Sequence, residues 1–207
     1  MTTIRTVAII GAGQMGSGIA QAIAAGGYSV ILYDAVAERV PQAQATIAAS
    51  LARQVERGLI DAGTADAAQS RISAASSLAD AAKADLVIEA AVEDETIKKT
   101  LLAELVPHLG PDTLLASNTS SISITRLASA TDRPERFIGL HFMKPAPVMK
   151  LVEIIRGIAT SADTYETAVA FAESLGKTTT NAEDFPAFIV NRILVPMINE
   201  AIYVLYE

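Results

Sequence analysis

Cysteine is absent from the 207 residues, which excludes disulfides, thiolate catalysis and cysteine-held metals. That absence also fits a reducing compartment. Positive charge is scarce: 16 Lys and Arg stand against 23 Asp and Glu, a formal net charge of −7. The resulting negative field disfavours general nucleic-acid binding, while leaving room for local basic pockets that hold small anions. No apolar run approaches the roughly 20 residues that span a bilayer. The first strand-like run begins too near the N-terminus for a cleavable leader to precede it. Low-complexity tracts and fixed-period repeats are missing too. The expectation is a soluble, cytoplasmic protein with no nucleic-acid partner, no membrane partner and no metal. The length suits one domain, or one domain plus part of another. A hydrophobic fraction of 51% supports a substantial core.

What is present is an alternation of strand-like and helical segments. Near-continuous apolar runs occur at Thr6–Ile10, Tyr28–Asp34, Ala84–Ala90, Thr113–Asn118, Arg136–Phe142 and Lys150–Arg156. Such runs suit strands buried on both faces. Helices are expected over Gln14–Ala25, closed by Gly26 and Gly27, over Val36–Glu56, ended by Gly58, and over Asp94–Leu105 and Thr164–Leu175. The pattern predicts a Rossmann-type, doubly wound α/β fold with a mostly parallel sheet. Residues 184–207 behave differently. Ala187–Tyr206 is apolar on nearly every face and should be buried on most sides. Either the chain is a fragment or the helix packs on another subunit, with a C-terminal helix lying on its own sheet as the bland alternative.

GAGQMG, Gly11–Gly16, matches GxGxxG, a weak signal alone. Its setting strengthens it: it follows a strand, opens a helix, and is followed by the acidic Asp34 at the end of the second strand. Gly11 permits the tight turn, Gly13 lets backbone approach a pyrophosphate, and Gly16 lets helix and strand pack closely. The amides near Gln14 and Met15 would face phosphates at the positive helix end. Asp34 suits an adenosine ribose and repels a 2′-phosphate; with no Arg or Lys directly after it, NAD is favoured over NADP. FAD is the rival ligand, and a ligand-free glycine turn the bland alternative.

The chain has two histidines. His108, beside proline and glycine at a helix end, reads as a solvated residue. His141 ends a strand, where ligands bind in open α/β sheets. Glu153 lies inside the apolar stretch LVEII, where a carboxylate is costly unless paired. An imidazole partner would make a dyad like the acid and base of a catalytic triad; Arg156 or Lys150 is the alternative partner. Asn118, Ser120 and Ser121 end another strand and suit the holding of a substrate oxygen, with helix capping before Ile122 as the alternative. Asn191 is a polar residue in the apolar final helix, where a hydrogen bond within the core would explain it.

Taken together, GAGQMGSGIA, IEAAVEDETIKK, ASNTSSISIT, GLHFMKPAPVMKLVEII and FPAFIVNRIL resemble the L-3-hydroxyacyl-CoA dehydrogenases, in that family's order along the whole chain. The resemblance implies oxidation of an (S)-3-hydroxyacyl-CoA by NAD, with His141 as base and Glu153 as its partner. It implies substrate contacts from Ser120 and Asn191, and CoA contacts from Ser50 and Arg57. Glu93, Lys98, Asn118 and Ser120, with Asp34, fall on the cofactor side. Lys144 stands where the family usually has asparagine, adding a positive charge at the nicotinamide end. The family also implies a homodimer built by an all-helical C-terminal domain, so the expected division is an NAD-binding domain at 1–183 and, at 184–207, the first helix of that truncated C-terminal domain. Two other readings are a dehydrogenase of a free hydroxy acid or sugar acid on the same scaffold, and a non-catalytic NAD-binding or dimerising fragment.

Overall fold

The computed structural model describes residues 3–207. Its centre is one eight-stranded sheet in the order β3-β2-β1-β4-β5-β6-β7-β8. The strands are β1 (Thr6–Ile10), β2 (Ser29–Tyr33), β3 (Ile72–Ala74), β4 (Leu86–Glu89), β5 (Leu114–Ser117), β6 (Phe137–Phe142), β7 (Leu151–Arg156) and β8 (Thr178–Glu183). All neighbours run parallel except β6 and β7. The helices are α1 (Gln14–Ala25), α2 (Arg39–Glu56), α3 (Ala62–Ser70), α4 (Leu78–Ala81), α5 (Glu95–Leu105), α6 (Ile124–Ala128), α7 (Ala162–Ser174) and α8 (Val190–Tyr206).

The central strands β4, β5 and β6 are buried at every position, as expected of strands covered on both faces. One core cluster joins β1 residues Val7 and Ile9 to Ile19 and Ile23 of α1, Ile47 of α2 and Phe171 of α7. The other joins Ala8 and Ile10 to Leu102 of α5 and Leu127 of α6. Alternate residues of β1 thus feed opposite layers, which fixes a doubly wound α/β domain.

The strand order reverses between β2 and β4, on either side of β1, so the turn after β1 opens at a topological switch point. The antiparallel pair β6–β7 sets His141 directly opposite Glu153. Cross-strand partners project from the same face, so this register alone brings the two side chains together.

The structure departs from the sequence expectation in several places. α2 starts at Arg39 rather than Val36, because Asp34 turns the chain by accepting the Val36 amide at 2.9 Å. α7 starts earlier, at Ala162, where Ser161 caps the Thr164 amide. β8, with sequence TTTNAE, is polar and lies at the sheet edge, so it carries no apolar run to announce it. β3 is a three-residue edge strand. Ser121 is not the cap of a helix: Ser123 caps α6, assisted by Asp184, which accepts the Ile124 and Thr125 amides at 2.8 and 2.9 Å.

The largest departure is α8. None of its residues is buried, and Ile193, Met197, Ile198 and Ile202 are about half exposed or more. The expectation of burial on most sides is therefore not met within this chain. Only the turn before α8, through the buried Phe188, enters the core.

Candidate active site

The glycine turn leaves β1 at Gly11, which has a φ of +111°. Only glycine adopts that conformation freely. A Cβ on Gly16 would lie 1.7 Å from the Gly11 carbonyl oxygen, so α1 rests directly on the turn. A Cβ on Gly13 would meet nothing within 4 Å. Gly16 thus serves packing, while Gly13 leaves its backbone open to a ligand. No side chain caps α1 and no acidic residue sits in its first turn. Its free amides and the helix dipole are available to an anion.

A cleft of about 390 Å³ opens here, lined in part by Gly11, Gly13, Gln14, Met15 and Asp34. Asp34 accepts the Ala12 amide at 2.8 Å, which fastens the end of β2 to the glycine turn. The open helix end, the Gly13 approach and the ribose-ready carboxylate fit a dinucleotide. Arg39, the first residue of α2, adds a guanidinium 3.6 Å from Asp34.

At the ends of β5, β6 and β7 lies the second half of the site. His141 Nδ1 and Glu153 Oε2 are 2.6 Å apart, with both side chains buried. Glu153 pairs with neither Arg156 nor Lys150. Its other oxygen accepts the Ile189 and Val190 amides, both at 2.9 Å, at the start of α8. The chain reaches that geometry by left-handed turns at Ala187 and Phe188, with φ of 68° and 52°. Burial pushes the Glu153 carboxyl upward, but the hydrogen bonds from His141, Val190 and Ile189 outweigh it and hold it below the usual range. A carboxylate facing Nδ1 places the imidazole proton there and leaves Nε2 as an acceptor, which takes the Ser120 hydroxyl at 3.1 Å. Phe188 covers the ring edge-on at 5.7 Å.

Glu93 holds the loop that presents Ser120. Its Oε1 accepts the Thr119 hydroxyl at 2.6 Å and the Ser120 amide at 2.7 Å. Burial acts to raise the Glu93 carboxyl, and the Thr119 hydroxyl, the Lys98 charge and the Ser120 amide bring it below its ordinary value. Lys98 is 1% exposed, and its Nζ lies 2.7 Å from Glu89, 3.3 Å from the Ala91 carbonyl and 3.5 Å from Glu93. An ammonium has three donors, and here all face protein oxygens. Asn118 is buried, and its side-chain oxygen accepts the Phe142 amide at 2.9 Å, tying β5 to β6 beside His141.

The remaining expected residues are placed less centrally. Asn191 is half-buried in the first turn of α8, next to Val190, whose amide Glu153 holds. Lys144 is exposed and forms no ion pair among the described residues. Ser50 lines a second groove of about 580 Å³ between α1, α2 and the Pro145–Pro147 segment, with Arg39, Gln42, Thr46 and Arg53. These side chains recur every three or four residues, so they form one stripe on α2. Arg57 is exposed at the end of α2, one turn beyond Arg53 and outside the groove lining. His108 is exposed, as expected. Among the described residues no group of His, Asp and Glu could hold a metal.

Residues 6–185 match the family model described as 3-hydroxyacyl-CoA dehydrogenase, NAD binding domain. A 3-hydroxybutyryl-CoA dehydrogenase of Bradyrhizobium diazoefficiens is 57% identical over 204 residues, covering 99% of this chain and 70% of that protein. A probable 3-hydroxybutyryl-CoA dehydrogenase of Bacillus subtilis is 47% identical, with 99% and 71% covered. The crystal structure of (S)-3-hydroxybutyryl-CoA dehydrogenase from Ralstonia eutropha superposes with a TM-score of 0.95 at 46% identity, covering 98% of this chain and 72% of that one. The chain belongs to the 3-hydroxyacyl-CoA dehydrogenase family, and its sheet domain is that family's NAD-binding domain.

Proposed function

We propose that this protein interconverts an (S)-3-hydroxyacyl-CoA, of the 3-hydroxybutyryl class, and its 3-ketoacyl-CoA, with His141 and Glu153 as the acid–base dyad. The observation that carries the dyad is the buried 2.6 Å contact between Nδ1 and the Glu153 carboxylate, which leaves Nε2 as the acceptor nitrogen, facing Ser120 Oγ. In the oxidising direction Nε2 takes the proton of the 3-hydroxyl, and Glu153 stabilises the imidazolium that forms. Ser120 Oγ, on the same imidazole edge, orients the substrate oxygen, and Asn191 does so from the first turn of α8. NAD, when bound in the glycine-turn cleft, supplies the two-electron acceptor for the hydrogen on C3. In the reverse direction the imidazolium returns its proton to the developing alkoxide.

The groove along α2 suits the extended, phosphate-bearing part of CoA, with Ser50 in its wall and Arg57 one turn beyond it at the end of α2. A guanidinium there meets a phosphate in two-pronged fashion. The exposed apolar face of α8 supports 184–207 as the entry to a helical region and a homodimer as the working form. A cytoplasmic site of action suits a chain without cysteine. The test is NADH consumption with acetoacetyl-CoA against acetoacetate. Consumption restricted to the thioester, and weakened by Arg57→Ala through KM, is expected. Equal rates with the free acid would favour a hydroxy-acid dehydrogenase instead.

A further inference from the structure

A second carboxylate lies in an apolar strand, apart from the His141–Glu153 dyad. Glu89 ends β4 in the sequence LVIE and is 1% exposed. Burying an ion pair carries a large desolvation cost, and an apolar pair of similar volume would serve stability as well or better. Both Glu89 oxygens are nevertheless fully engaged. Oε1 accepts Lys98 Nζ at 2.7 Å and the Ala91 amide at 2.7 Å; Oε2 accepts the Ser117 hydroxyl at 2.6 Å. The pair therefore joins β4, β5 and α5 just below the loop that carries Ser120.

From Lys98 the contacts continue to Glu93, whose side chain is 41% exposed. Without an anchor such a carboxylate would rotate into solvent. Lys98 restrains its Oε2, which leaves Oε1 aimed at Thr119, Ser120 and Ser121. Those bonds in turn fix Ser120 Oγ at 3.1 Å from His141 Nε2.

We infer that Glu89 and Lys98 are positioning residues which, through Glu93, set Ser120 against His141. The inference rests on the reading of His141 as the acid–base group. A misplacement of Ser120 by about 1 Å is enough to cost on the order of 100-fold in rate.

The test uses the enzyme at its natural length and two variants that act at opposite ends of the pair. Glu89→Gln keeps the shape and, with its oxygen toward the Ala91 amide and its NH2 donating to the Ser117 hydroxyl, removes the charge. Lys98→Met removes the ammonium and fills the space. Each is combined with Ser120→Ala in a double-mutant cycle. Turnover with acetoacetyl-CoA should fall about 10- to 100-fold in either single variant, with KM for NADH nearly unchanged, and should fall little further once Ser120 is gone. A purely structural role would give equal losses in both backgrounds, which would overturn the inference.

The second readout is independent of turnover. With two histidines in the chain, the His141 imidazole resonances are separable from those of the exposed His108. Lys98→Met and Glu89→Gln should move the His141 signals as Ser120→Ala does and leave His108 in place. A folded variant with an unmoved His141 signal would overturn the inference. Should His141→Ala retain turnover, the acid–base reading fails, while the resonance comparison still decides whether the clamp reaches His141.

Discussion

At the residue scale the chemistry rests on which side chains are held and which are left free. Glu153 has both oxygens occupied, one by imidazole and one by two amides of the α8 turn. Glu153→Gln keeps the shape but sets an NH2 donor where an acceptor oxygen faces either the imidazole or the α8 amides, so turnover should fall by roughly 100-fold or more with NAD affinity intact. Isothermal titration with NADH beside steady-state rates checks both halves of that expectation. The dyad was legible because a carboxylate in an apolar strand demands a partner. Glu89 obeys the same rule in LVIE, and the same question asked of it leads to Lys98. What the chain did not announce was the second clasp on Glu153, because backbone amides carry no side-chain signature.

At the element scale the glycine turn separates fold from ligand. Gly16→Ala places a methyl group 1.7 Å from a backbone oxygen. It should cost about 2 kcal/mol or more and abolish NAD binding. Gly13→Ala puts its methyl into open space. It should leave Tm nearly unchanged while weakening NAD binding, because only the ligand approaches there. A large loss of Tm in Gly13→Ala, read by calorimetry, would contradict that division. The main strands and longer helices were readable from apolar runs and caps. β3 and β8 were not, since a short or polar edge strand lacks the apolar run that marks a buried one. The antiparallel turn of β6 into β7 was also hidden, although the His141–Glu153 pairing depends on it.

At the scale of the whole molecule, two features set behaviour in solution. The first is α8, whose apolar side chains were legible in sequence but whose exposure was not. Ile198 and Ile202 are 48% and 60% exposed. On the proposed homodimer, replacing both with lysine should raise the monomer fraction in sedimentation; an unchanged fraction would contradict this face as the interface. The second is acid sensitivity. Glu93 and Glu153 both have carboxyls held below their ordinary value of 4.5 in the folded state. Their contribution to stability is present above about 4.5 and is lost as pH falls through the lower folded values. Denaturant midpoints should therefore decline below that pH, and less steeply in Glu93→Gln.

The most direct single measurement is acetoacetyl-CoA-dependent NADH oxidation by His141→Ala, made alongside its affinity for NADH. Loss of nearly all turnover with unchanged cofactor binding is the expected result. Near-normal turnover would contradict the assignment of His141 as the acid–base group.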